Sequence, residues 1–206
     1  MPLSSWLSVV AICMLGAMSP GPSLAVVIRN TMSSSCRMGM VSGIAHCVGV
    51  GVYALLATAG LGVLITGNPI LFKALTWGGA AYLAWLGIKA LRASGTPALA
   101  TGNIVETKSL SIVKAARDGF LISFLNPKIA VFFLALFSQF VTPEMGWQAK
   151  TIMAFTATAI DGLWYCFIAA VVGHGAILPF LRRYTLWITR ATGVLLLAVA
   201  LRVAFL

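Results

Sequence analysis

Met18-Ser19-Pro20-Gly21-Pro22 is the stretch on which the reading of this chain turns. It lies inside an apolar run that opens near Leu3 and closes near Ile28. Pro20 and Pro22 lack N–H donors and clash with the preceding turn, and Gly21 admits unusual backbone angles, so an α-helix does not run straight through. In water this would be an ordinary turn. In lipid it strands backbone carbonyls, and broken helix at membrane depth is expected only where it is packed in protein or lines a wet cavity. One proline suffices for a packed kink. Two prolines around a glycine leave two readings open, a kinked packing helix and an unwound binding segment.

The surrounding composition puts the stretch in a membrane. Of 206 residues, 60% are hydrophobic and 9% charged, with a mean hydropathy of +1.00. A soluble domain has about a quarter of its residues charged. The expected class is an all-α integral membrane protein, a single transmembrane domain over residues 1–206 with the lipid bilayer as its solvent. Six apolar runs, about 4–28, 38–66, 69–91, 119–141, 149–173 and 186–205, are each long enough for a hydrocarbon core of about 30 Å. The start, Met1 to Trp6, has no basic region, so the first run is expected to remain as a span.

The formal net charge of +10 does not indicate nucleic acid, because the basic residues are few and scattered between apolar runs. They read as a topology signal. With the N-terminus outside, Arg29, Arg37, Lys89, Arg92, Lys108, Lys114, Arg117, Arg182, Arg183 and Arg190 fall in cytoplasmic loops. Only Lys73, Lys150 and Arg202 fall outside. Both termini are therefore expected outside, and the stretch of about 93–118 is expected to be a cytoplasmic linker between two halves of three spans. Trp6 and Trp147 then sit at the outer interface, Tyr184 and Trp187 at the inner one, and His174 at the inner end of span five. Cys13, Cys36, Cys47 and Cys166 form no C-x-x-C pair and read as small packing residues. Gly39 and Gly43, extended by Gly49 and Gly51, give span two a small face. Such a face serves close packing inside the monomer or a homo-oligomer contact, and the first is the more economical reading.

Well away from the ends of the runs lie His46, Lys128 and Asp161. Each is costly in lipid and needs a partner or a wet cavity. Asp161, central in the fifth run, can load and release a proton, hold an ammonium, or stabilise the bundle as a neutral group. A second helix break, Asn126-Pro127-Lys128, interrupts the fourth run. The Asn126 amide can satisfy a freed backbone group or bind a ligand. Lys128 either snorkels to the interface or acts as countercharge to an anionic group or to Asp161. His46 is a candidate because histidine is the side-chain type that changes charge near neutral pH, but a lone histidine in a glycine-rich helix is more often a hydrogen-bonding packing residue. Two broken helices beside an intramembrane acid are what a transport site requires.

Several stretches together resemble the LysE/RhtB family of amino-acid exporters. They are Ser19-Pro20-Gly21-Pro22, the glycine-rich Arg37–Gly51, the run Trp77-Gly78-Gly79-Ala80-Ala81-Tyr82-Leu83-Ala84-Trp85-Leu86-Gly87, and Asn126-Pro127-Lys128 followed by Phe137-Ser138-Gln139-Phe140. The likeness covers essentially the whole chain. It implies efflux of amino acids or related small zwitterions across the bacterial inner membrane, driven by the proton motive force, and Asp161 stands where such relatives often carry an acid. Broken spans one and four suggest two inverted repeats of three, although these boundaries put both breaks on the cytoplasmic side of the midplane. The rival readings are a passive small-solute channel and a structural membrane subunit. No Ser/His, H-E-x-x-H or paired-aspartate constellation supports an intramembrane enzyme, and nothing in the pattern asks for a cofactor or metal.

Overall fold

A computed structural model describes residues 2–93, 110–142, 144–173 and 178–204. Most of the expected linker, with Glu106 and Lys108, and His174 lie outside the described residues. The described chain is helical: α1 (Leu3–Met18), α2 (Pro22–Ser33), α3 (Cys36–Gly67), α4 (Pro69–Leu91), α5 (Ile112–Phe124), α6 (Pro127–Phe137), α7 (Trp147–Gly173) and α8 (Leu178–Ala204). α3 and α7 are each long and apolar enough to cross a bilayer. The pairs α1–α2 and α5–α6 reach that length and apolarity only together, bent by 59° and 52° at their breaks. α4, with 23 residues, is about 35 Å long at about 1.5 Å per residue. α8 has 27 residues and carries the apolar stretch Leu186–Leu201. Eight helices thus fit six spans. Large apolar side chains point outward, Phe155 and Leu163 at 72% exposure each and Leu56 at 62%, as lipid-facing surfaces require.

Proline sets where three of these helices start. Pro22, Pro69 and Pro127 each occupy a first-turn position, where the missing N–H would have had no partner anyway. The residue before two of them closes the end. Asn68 Oδ1 accepts from Leu71 N at 3.0 Å, and Asn126 Oδ1 accepts from Lys128 N at 3.0 Å. Gly21 does not use glycine's special freedom. Its φ of −176° and ψ of −173° are extended backbone that any residue adopts. Its contribution is space, since an added Cβ would meet nothing nearer than Ser19 O at 4.0 Å.

The fourth span begins earlier than its apolar run. Ser111 caps α5, its Oγ accepting from Lys114 N at 3.2 Å, so the helix opens at Ile112 rather than near 119. Hydropathy is blind to this first stretch because Lys114, Arg117 and Asp118 lie in it. With the span so extended, the break at Leu125–Asn126 falls near the middle of its helix pair, as Ser19–Gly21 does in the other. The cytoplasmic offset that the apolar runs gave to both breaks is thereby removed.

Each span packs against its counterpart in the other half: α3 along α7, α4 along α8, and α2 against α5. The glycine face of α3 is used inside the chain. Gly39 abuts Thr31 and Ala169, Gly43 abuts Tyr165, Gly49 abuts Ser123 and Gly51 abuts Thr158. α2, α3 and α5 are tied by polar contacts. Arg29 Nη2 donates to Asp118 Oδ2 at 2.7 Å, Asn30 Nδ2 to Ser42 Oγ at 2.8 Å, and Ser42 Oγ to Ala115 O at 2.9 Å. The main core gathers Phe132, Phe133 and Phe137 of α6 with Met153 of α7 and Leu196 of α8. A second cluster seats Leu24, Val27 and Ile28 of α2 on Ile168, Ala169 and Val172 of α7.

Candidate functional site

A cavity of about 70 Å³ lies where the two breaks meet α3, α7 and α8. That is room for a few waters or the charged end of a small solute. The first break supplies Ser19, Gly21, Pro22 and Ser23, and the second supplies Asn126 and Lys128. α3 contributes His46 and α7 contributes Asp161 and Tyr165.

His46 and Asp161 form the polar centre. His46 Nδ1 lies 2.7 Å from Asp161 Oδ2, and the side chains are 1% and 10% exposed. When Asp161 is ionised, Nδ1–H donates to it. The other ring nitrogen, Nε2, is buried without a hydrogen-bond partner among the described residues. A buried polar atom left unpaired is costly, and a ligand or water in the cavity would repair it. Tyr165 packs its ring 4.5 Å from that of His46 at 56°, and lines the cavity together with Ser23 of the first broken span. Asp161 and Tyr165, four residues apart on α7, share one helix face.

The expected residues divide by role. Ser19, Gly21, Pro22, Asn126, Lys128, Asp161 and His46 come together around this cavity. Pro20 faces only a neighbouring cleft, and Pro127 starts α6 without lining either space. Lys128 does not pair with Asp161; it donates from Nζ to Ser19 Oγ, joining the second break to the first. His46, weighed in the sequence between a coupling role and hydrogen-bonded packing, is the partner of Asp161. Ser23 and Tyr165 were not among the sequence candidates, although the four-residue spacing from Asp161 was a usable signal for Tyr165.

Two unwound segments joined by a Lys–Ser hydrogen bond enclose a polar cavity within the helical bundle, around a buried His–Asp pair whose second imidazole nitrogen has no partner among the described residues. Known proteins agree with a transport role. The model of the LysE type translocator family matches residues 14–206. An "uncharacterized membrane protein" of Vibrio cholerae serotype O1 is 30% identical over 185 residues, 89% of this chain and 85% of that protein. The homoserine/homoserine lactone efflux proteins of Salmonella typhimurium and Salmonella typhi are 32% and 33% identical over 161 residues, 76% of this chain and 74% of each relative. No solved structure matches. The broken spans, the bundle around them and this likeness along nearly the whole length lead to one assignment: the chain is a multi-pass membrane protein belonging to the LysE type translocator family, a transporter and not an enzyme.

Proposed function

We propose that this chain exports an amino acid or similar small zwitterion from the bacterial cytoplasm across the inner membrane in exchange for protons, with homoserine the first substrate to test. The observation that carries the reading is the buried His46–Asp161 pair beside the two helix breaks, with His46 Nε2 unpartnered. A single buried carboxylate accepts one positive charge at a time, a proton or a substrate ammonium. Competition between the two at Asp161 is the simplest exchange device this geometry allows. His46 orients the carboxylate through Nδ1 and offers Nε2 to a ligand donor. Unwound backbone at Ser19–Gly21 and the amide of Asn126 complete the polar lining. Family membership and the names of the two Salmonella relatives support the substrate class. The Lys and Arg distribution supports an orientation with both termini outside, so reporters fused at either end should be reached only from the periplasm.

The test is counterflow in proteoliposomes with a panel of amino acids, homoserine and homoserine lactone included, under an imposed pH gradient. The reading expects accumulation of at least one amino acid that collapses when the gradient is dissipated. Equilibration without accumulation would support a passive channel, and the absence of any flux would support a structural subunit.

A further inference from the structure

Beside the inner cavity lies a larger cleft, of about 710 Å³, between the first break, the C-terminal end of α4 and the middle of α8. Gly87 and Gly193 bring these two helices together, for a Cβ on either would lie 2.8 Å from the other's carbonyl oxygen. α4 turns Trp85, Lys89 and Arg92 into the cleft, and α8 adds Thr192. Lys89 Nζ rests over the Trp85 ring, 5.2 Å from its centroid, which holds the ammonium on the cleft wall. No acidic side chain is among the described residues lining the cleft. Its deep end is the first break together with Lys128, and Ser19, Gly21, Pro22, Lys128 and Leu196 line both spaces. The Lys128–Ser19 hydrogen bond therefore stands at the boundary between an all-cationic cleft and a cavity centred on Asp161.

We infer that the cleft is a carboxylate-binding vestibule through which the solute is loaded, Lys89 and Arg92 gathering its carboxylate and Lys128 receiving it at the inner end. This rests on the amino-acid efflux reading above and narrows it to solutes with a free carboxylate. Clefts lined by one sign of charge concentrate ligands of the opposite sign. A carboxylate reaching Lys128 offers it a charged acceptor in place of the neutral Ser19 hydroxyl, and charge-assisted hydrogen bonds are about twice as strong. Loading would thus release the Lys128–Ser19 contact and open the inner cavity, where Asp161 meets the ammonium end. The same bait would also draw an anionic lipid headgroup, so the lipid must be varied in the test.

The experiment measures competition by unlabelled homoserine and by its carboxamide, which lacks the negative charge, against labelled homoserine flux in proteoliposomes. Wild type is compared with Lys89→Gln/Arg92→Gln, two exposed positions where polar substitution leaves the fold intact. In wild type the free acid should compete roughly tenfold better than the amide, and in the double variant the advantage should shrink to about twofold. Raised salt should narrow the wild-type ratio as well. An unchanged ratio in the variant overturns the vestibule. So does a narrowing seen only in liposomes containing phosphatidylglycerol and not in phosphatidylcholine alone, which would make the cleft a headgroup site. If wild type moves no amino acid at all, the efflux reading itself falls and the vestibule falls with it.

Discussion

Single residues carry two separable jobs at the breaks, ending a helix and lining a cavity. Gly21 illustrates the second. Its extended backbone suits alanine, and its missing Cβ faces open space beside both chambers. Gly21→Ala should therefore cost less than about 1 kcal/mol of stability while lowering transport roughly tenfold, because the new methyl group intrudes on the solute's path. Membrane abundance and initial flux, measured on the same preparations, check it. Equal losses in both would return the segment to a plain kink. Asn126 does both jobs. Asn126→Ala removes the cap on α6 and should cost about 1 kcal/mol, whereas Asn126→Ser keeps a capping oxygen and loses only the amide. If the amide serves the solute, the two variants should differ in melting temperature but share the transport defect. Proline-glycine chemistry is local, so the breaks were legible in the sequence. The His46–Asp161 pair was not, because its members are 115 residues apart and each looked isolated on its own helix.

At the scale of elements, the glycine face of α3 brings the carboxylate-bearing helix close. A Cβ at Gly43 would lie 2.9 Å from Cβ of Tyr165 and 3.2 Å from its carbonyl carbon, in the stretch of α7 that carries Asp161. Gly43→Ala should push α7 away, lower thermal stability by about 1–3 kcal/mol and impair transport by displacing Tyr165 and Asp161 together. Gly78 is the control. Nothing lies within 4 Å of its Cβ position, so Gly78→Ala should leave flux unchanged and stabilise α4 by up to about 1 kcal/mol. Thermal unfolding of the two purified variants in detergent distinguishes them, and a larger loss at Gly78 would contradict the packing described. The sequence signalled a small face but not its neighbour, since glycine spacing is indifferent to which helix approaches. It likewise misjudged where α5 starts, because a capped but polar first turn has no hydropathy signature.

Across the whole molecule, each half provides a broken span, a glycine-mediated crossing and a wall of the same cavity, and every span packs against its counterpart. Six spans, two breaks and an intramembrane acid were readable from apolar run length and from proline. Which side chains meet at the centre was decided by packing between halves, which no local pattern encodes. It is also why Lys128, for which Asp161 was one of several possible partners, is found on Ser19. The central claim is that the His46–Asp161 pair couples solute movement to protons. Asp161→Asn tests it most directly, since the amide oxygen can still accept from His46 Nδ1 while the side chain can no longer take up a proton. The decisive measurement is pH-gradient-driven accumulation of homoserine in proteoliposomes holding equal amounts of folded wild type and Asp161→Asn. The account predicts accumulation in wild type and none in the variant. Accumulation by the variant equal to that of wild type would contradict it.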